Sequence, residues 1–256
     1  MKLSNKILFL VFAILMLVSC KKETASVNFD LGYNYFPDDS GSYVIYKVDS
    51  VLYNNFDVNN LKRFSSYYLK EIITEQFIDN LGRTARKVER YTTDSLNHNW
   101  RFSNVWYIVK TDRNIEKVED NIRYIKLTFP VIKNNTWRGN KYVDTKPSFI
   151  NLRFNSTYSF DWTYSITGIN ENYTFSDAGE TLSSDSTLTV LQAADSSLIQ
   201  KVYSFERYAR NIGMVYKEFW RLDAQINPDS IPQQNYENRT VFGFLVRQQA
   251  IAHGKE

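Results

Sequence analysis

The run from Phe205 to Leu222 constrains the fold more than any other stretch: Phe-Glu-Arg-Tyr-Ala-Arg-Asn-Ile-Gly-Met-Val-Tyr-Lys-Glu-Phe-Trp-Arg-Leu is the densest aromatic and aliphatic segment outside the N-terminal leader. Two templates fit it. As a helix, Phe205, Tyr208, Ile212, Val215, Phe219 and Leu222 recur at spacings of three and four; as strands, Met214, Tyr216, Trp220 and Leu222 share one face and Val215 and Phe219 the other. Gly213 costs about 1 kcal/mol relative to Ala inside a helix but is natural beside a turn, and the β-like runs in the rest of the chain tip the reading toward strands. The sequence therefore predicts two strands joined at Asn211–Gly213, a hairpin that closes a sheet. A long helix seen by circular dichroism would overturn this.

The rest of the chain reads as strands in the same register of period two. Tyr43–Val51 alternates, with Val44, Tyr46 and Val48 on one face and Lys47 and Asp49 on the other. Tyr67–Phe77 and Thr84–Tyr91 flank Asp79-Asn80-Leu81-Gly82-Arg83 and predict a hairpin. Trp100–Lys110 and Ile115–Phe129 predict two more strands. In the second, the apolar phase slips from Ile122 and Tyr124 to Ile125, Leu127 and Phe129, which predicts a bulge. Lys133–Lys146 reads as an Asn-rich loop carrying Trp137, and Thr157–Ile169, Tyr173–Phe175 and Ser186–Leu191 as short strands, with Ser183–Ser186 a small loop. Asn227–Arg239, with Pro228 and Pro232, reads as a surface excursion; Thr240–Gln248 reads as the final strand, and His253–Glu256 as a fraying end. The expected fold is mainly β: a single antiparallel domain, a curved sheet or a barrel-like or half-barrel-like one, with little helix.

The N-terminus has the layout of an export signal: Lys2 and Lys6, an apolar run from Ile7 to Val18, then Ser19 before the only cysteine. That run is too short to span a bilayer, which takes about 20 apolar residues. Leu17-Val18-Ser19-Cys20 resembles the lipobox of bacterial lipoproteins, which implies cleavage before Cys20 and acylation of that residue. Each buried acyl methylene contributes about 0.8 kcal/mol, so several chains on Cys20 hold a domain firmly to a membrane. The expected organisation is a signal peptide over 1–19, the lipidated cysteine and a flexible tether over 20–32, and one β-rich domain over 33–256. By resemblance to lipoprotein sorting in Gram-negative bacteria, Lys21 in place of Asp implies the outer membrane, and the single acid in Lys21-Lys22-Glu23 implies its periplasmic face, with the cell surface as the alternative.

Composition narrows the chemistry. Lipid on Cys20 leaves no cysteine for a disulfide, a thiol nucleophile or a metal ligand. The formal net charge is +3, of which Lys2 and Lys6 supply two, so nucleic acid is not an expected partner. With histidine only at positions 98 and 253, nine glycines, and no Gly-x-Ser-x-Gly elbow or phosphate loop, no metal, cofactor or nucleophile-based catalysis is expected. Glu116, Glu119 and Asp120 are the one carboxylate cluster that could serve a hydrolase, against the plainer reading of a solvated strand rim. Arg83, Arg86, Lys87 and Arg90 form a basic run in which Arg86 and Arg90 share a face with Val88; a phosphate could sit there, or the face is simply solvated. Among the tryptophans, Trp137 stands apart because its neighbours are loop formers, and it makes Trp137, Arg138 and Asn140 the candidate ligand contacts.

Two resemblances complete the reading. Asp94-Ser95-Leu96 and Asp229-Ser230-Ile231 resemble the Asp-Ser/Thr-apolar acceptor for O-glycosylation in one group of Gram-negative bacteria, which implies Ser95 and Ser230 as acceptors. Tyr208-Ala209-Arg210-Asn211-Ile212-Gly213-Met214-Val215-Tyr216-Lys217-Glu218 resembles a pattern of uncharacterised β-rich envelope lipoproteins, some similar to LolA-type half-barrels whose concave sheet holds acyl chains. The resemblance implies a non-enzymatic module for an apolar ligand or an envelope partner; an envelope glycan binder using loop aromatics and a carboxylate hydrolase are the alternatives.

Overall fold

In the computed structural model, residues 29–56, 61–143, 162–226 and 235–256 are described. They build twelve antiparallel strands in a single sheet: β1 (Ser42–Asn54), β2 (Lys62–Ile78), β3 (Thr84–Thr93), β4 (Arg101–Lys110), β5 (Asn114–Glu119), β6 (Ile122–Thr128), β7 (Thr136–Arg138), β8 (Thr163–Asp177), β9 (Glu180–Ser196), β10 (Gln200–Ala209), β11 (Gly213–Ala224) and β12 (Thr240–Lys255). A 3-10 turn, Tyr33–Tyr35, precedes them, and a one-turn helix, Tyr236–Arg239, leads into β12.

The strand order is β6-β5-β4-β3-β2-β1-β12-β11-β10-β9-β8-β7, two meanders joined where β1 pairs with β12. The outermost strands are consecutive in sequence, and they meet. The Ile125 N–H donates to the Gly139 carbonyl at 2.8 Å, the Trp137 indole N–H to the Ile125 carbonyl at 2.8 Å, and the Asn135 amide to Thr128 Oγ1 at 3.0 Å. The sheet is thereby curled nearly shut into a barrel, and each edge covers the other. Alternation carries Val44, Tyr46 and Val48 to the inside and Lys47 and Asp49 to the outside; on β3, Val88 lines the interior while Lys87 and Glu89 face away.

The predicted hairpins are present at Asp79–Arg83 and at Arg210–Ile212, where Asn211 (φ 62°) and Gly213 (φ 98°) take the left-handed conformations the turn requires; the second lies within the sheet and does not close it, since the closing strands are β6 and β7. A bulge between Arg207 and Tyr208, opposite Met214 and Tyr216, shifts the phase of the second hairpin. It turns Met214 inward, away from the face of Tyr216 and Trp220 with which the sequence grouped it.

Four expectations are corrected. Ile115–Phe129 is not one strand: Asp120 (φ 49°) and Asn121 (φ 65°) form a tight two-residue turn between β5 and β6. The predicted bulge does occur beside it, with Lys126 as the extra residue between Ile125 and Leu127. The short strands after residue 162 merge into the long β8 and β9, joined at Ala178–Gly179, so Ser183–Ser186 is strand and not loop. Trp137 sits in the short strand β7, not in a loop. His253–Lys255 does not fray, because it pairs with Ser42–Val44 while the Glu256 N–H donates to the Gly41 carbonyl. The leader, Cys20, the tether through residue 28, residues 144–161 with the end of the predicted Lys133–Lys146 loop and the start of the predicted Thr157–Ile169 strand, and residues 227–234 lie outside the described residues.

Gly243 shows how closely β12 packs on its neighbour β11. Its φ is +125°, and a Cβ there would lie 2.0 Å from the Arg221 carbonyl oxygen on β11. Gly243→Ala is expected to cost about 1–3 kcal/mol for the strained backbone alone, read as a lower urea midpoint at unchanged slope.

One end of the barrel is crossed by the chain before β1. Tyr35 is fully buried, its hydroxyl against Ser186 Oγ at 3.1 Å; Asn34 accepts from the Asn211 N–H and from Arg210; and the Lys110 ammonium donates to the Phe36 carbonyl and to Asp38, both at 2.9 Å. These contacts seat Phe36 and Pro37 over the interior, where they form part of its lining.

Candidate binding site inside the barrel

Beneath Phe36 and Pro37 the interior carries charge. Cross-strand register places Glu206 of β10 beside Lys217 of β11, and Lys217 beside Gln248 of β12, so three polar side chains share one rung on the inner face. Lys126, the bulged residue of β6, reaches across to Glu206 at 2.8 Å and to Glu119 at 3.1 Å. Lys117 bonds Glu71 at 3.0 Å and approaches Glu119 at 3.8 Å, and Arg90 bonds Glu71 at 3.0 Å. Tyr208 closes the chain by donating to Glu206.

The energetics are those of charges removed from water. Burial alone would raise the pKa of Glu119, but Lys126, Lys217 and Lys117 outweigh it and hold the carboxyl far below its ordinary range. Burial is likewise outweighed at Glu206 by Lys126 and Lys217, and at Glu71 by Lys117 and Arg90. For Lys126, burial works against the charge, yet Glu119 and Glu206 raise its pKa well above the lysine value. Burial, with Glu206 beside one and Glu71 beside the other, drives Tyr208 and Tyr46 upward and keeps both phenols neutral. Glu71, Glu119, Glu206, Lys126 and the two phenols are thus each locked in one protonation state around neutral pH.

A cavity of about 60 Å³ remains in this setting. Its polar lining includes Glu71, Lys117, Glu119, Lys126, Lys217 and Gln248; Val44, Ile73, Val88, Ile108 and Met214 supply an apolar wall. Trp106 stands between them. Its indole N–H donates to Asp120 Oδ1 at 3.1 Å, and its ring carries the Arg90 guanidinium at 3.6 Å and the Lys117 ammonium at 4.7 Å from the centroid.

The residues singled out from sequence do not converge here as a group. Glu116 and Glu119 leave β5 on opposite faces: Glu119 enters the barrel, whereas Glu116 accepts from Arg83, Arg123 and Tyr142 on the other side, beside Asp79. Asp120 stays in the turn, bonded to Asn104 and Trp106. Trp137 and Asn140 serve the barrel seam, since the Trp137 N–H is taken by Ile125, and the buried Asn140 accepts from the Trp162 N–H at 2.9 Å; Arg138 is exposed. The Ser95 hydroxyl accepts from the Asn97 N–H in the β3–β4 loop, and Ser230 lies outside the described residues. Of the basic run, Arg90 and the neighbouring Val88 reach the interior.

Sequence reasoning missed Glu71, Lys117, Lys126, Glu206, Lys217, Gln248 and the placement of Trp106. One signal was available: Glu71 falls on the face of Tyr67, Leu69 and Ile73, a carboxylate in an otherwise apolar row.

The class of protein is therefore a nearly closed antiparallel β-barrel with a charged interior. No protein-family model and no curated protein matches the chain. Among solved structures, it is similar to a Parabacteroides distasonis ATCC 8503 protein provisionally described as a lipoprotein, at 11% identity over 86% of this chain and 98% of that one, with a TM-score of 0.32.

Proposed function

We propose that the chain is an exported lipoprotein, held on the periplasmic face of the outer membrane by lipid on Cys20, whose barrel is a non-enzymatic binding module for a ligand with an apolar body and a polar end. The anchor rests on the leader, Lys2 to Cys20, and the binding role on the interior cavity. A barrel of this size could fill its centre with aliphatic side chains; this one keeps space between an apolar wall and a charged network. Groups fixed in their protonation states suit recognition better than proton transfer, which requires a pKa near the working pH.

In cells, the wild-type protein is expected to remain with the membrane fraction after a high-salt wash, and Cys20→Ala to move to the soluble fraction. Retention of Cys20→Ala with membranes would show that lipid is not what holds it. Native mass spectrometry of the detergent-solubilised wild type tests the binding role, with a small co-purifying adduct as the expected result.

A second reading, recognition of an envelope glycan, is supported by aromatics on the outer face. Tyr203, Phe205, Tyr216 and Trp220 form a partly exposed row, with Phe205 stacked on Tyr216 at 5.1 Å and Lys201 held 4.1 Å from the Trp220 ring centroid. A bound oligosaccharide in place of a small adduct would favour it.

A further inference from the structure

The donors around the cavity are unequally employed. Arg90, Lys117 and Lys126 each hold a carboxylate at 2.8–3.1 Å, but Lys217 reaches its nearest carboxylates, Glu206 and Glu119, only at 3.7 and 3.9 Å. Those distances give attraction without a hydrogen bond. Next to Lys217 on the same rung stands Gln248, 7% exposed, whose side-chain N–H2 has no acceptor among the described residues. A buried amide donor left unpaired costs about 1–3 kcal/mol, so native interiors ordinarily provide a partner. The four cations Arg90, Lys117, Lys126 and Lys217 face three carboxylates, Glu71, Glu119 and Glu206, which leaves one positive charge in excess.

Size and wall chemistry narrow what would complete the set. One water needs roughly 10–15 Å³ of such a cavity, so about 60 Å³ admits roughly four to six non-hydrogen atoms. Part of the lining is apolar, at Val44, Ile73, Val88 and Met214. Water alone would satisfy the amide but would leave the excess charge unmatched and the aliphatic wall wetted.

We propose that the cavity binds a short-chain monocarboxylate of two to four carbons, its carboxylate accepting from Gln248 Nε2 and Lys217 Nζ and its alkyl end lying against the aliphatic wall. This deepens the reading of the barrel as a binding module and rests on it. The ion matches the excess charge, supplies the acceptor that Gln248 lacks, and fits the volume. Longer chains exceed the space, and a dianion such as phosphate would overshoot the charge and gain nothing from the wall.

Isothermal titration of the full-length, detergent-solubilised protein with sodium acetate, propionate, butyrate, hexanoate and phosphate tests this at constant ionic strength. Saturable one-site binding is expected for at least one of the first three, with hexanoate and phosphate at least tenfold weaker. Gln248→Leu, which keeps the bulk of the side chain, is expected to weaken binding at least tenfold. Gln248→Glu, which supplies a carboxylate to Lys217 internally, is expected to abolish binding while leaving the urea midpoint at or above that of the wild type. No saturable heat with acetate, propionate or butyrate overturns the proposal. So does binding unchanged in both variants, or equal affinity for phosphate. The broader binding role fails only if, in addition, the native protein carries no adduct at all.

Discussion

Lys126→Met is expected to lower the stability of the barrel by about 3–5 kcal/mol, the usual cost of removing one partner from a buried ion pair and stranding the other. The ammonium is the hub of the interior: it lies 2.8 Å from Glu206 and 3.1 Å from Glu119, and its side chain is 5% exposed. Without it, two carboxylates remain in a setting that opposes their charge, and Lys217, at 3.7 and 3.9 Å, is too distant to replace the lost hydrogen bonds. For a domain of this size the loss corresponds to a drop in Tm of roughly 10 °C. The double variant Lys126→Met/Glu206→Gln removes one stranded charge, keeps an acceptor for the Tyr208 hydroxyl, and leaves Glu119 to Lys117 and Lys217. It is expected to recover at least half of the loss. Urea denaturation followed by far-UV circular dichroism measures both. A single variant within 1 kcal/mol of the wild type would mean that water or neighbouring lysines already screen these carboxylates, and that the interior is wetter than its geometry indicates.

That cost bears on why the network is there. Replacing a buried ion pair with well-packed apolar residues is often neutral or stabilising, so charge in a barrel interior is not an economical route to stability. Two apolar clusters are also buried in this domain: one gathers Ile115, Leu127, Trp162, Tyr164 and Ile166, the other Val44, Tyr46, Leu69 and Val215. The charged network orients donors toward the cavity, with Lys117 and Lys126 each held by a carboxylate. That is the preorganised first shell a small site requires.

Much of the architecture was legible because strand alternation and turn chemistry are local. Val44, Tyr46 and Val48 declare their face within five residues, and Asp79 to Arg83 carries its own turn signal. In that turn, Asp79 accepts from the Leu81 and Arg83 N–H groups at 2.9 Å and from the Arg83 guanidinium. The Phe205–Leu222 hairpin was legible for the same reason, through Gly213. Features set by tertiary pairing were not. Asp120-Asn121 forms a tight turn because both residues tolerate positive φ, yet without the usual Gly the run reads as one strand with a slipped phase. The bulge at Lys126 places a lysine indoors that simple alternation leaves undecided. The site itself assembles from nine strands, β1 to β6 and β10 to β12, by way of cross-strand rungs such as Glu206–Lys217–Gln248. No spacing along the chain records a rung that joins residues 206, 217 and 248. Trp137 drew attention by its polar neighbours, but those neighbours build the seam where β7 meets β6.

The second large effect is on the pH dependence of stability, and its sign follows from which groups are shifted which way. The carboxyls of Glu71, Glu119, Glu206 and Glu116 are all held below the ordinary glutamate range, and that of Asp79 is lowered to about 2, because burial, which opposes ionisation, is outweighed by the cations and N–H donors around them. A depressed pKa in the folded state contributes stability that is present in full above the unfolded value, near 4, and is lost as pH falls through the folded value. The urea midpoint is therefore expected to stay nearly flat from pH 8 to about 5 and then fall steeply between about pH 4 and 2. At the alkaline end the raised groups act in the opposite sense. Lys126, Tyr46 and Tyr208 have folded pKa values above their unfolded ones, so their contribution is complete below about pH 10 and is lost as pH rises through the folded values. Asp79→Asn keeps the turn's amide acceptor but removes one titrating carboxyl, so its acid limb is expected to be shallower than that of the wild type; Lys126→Met should lose stability on the plateau and flatten both limbs. A wild-type midpoint that holds steady down to pH 2.5 would contradict the ionised interior, and with it the charge balance on which an anionic ligand depends.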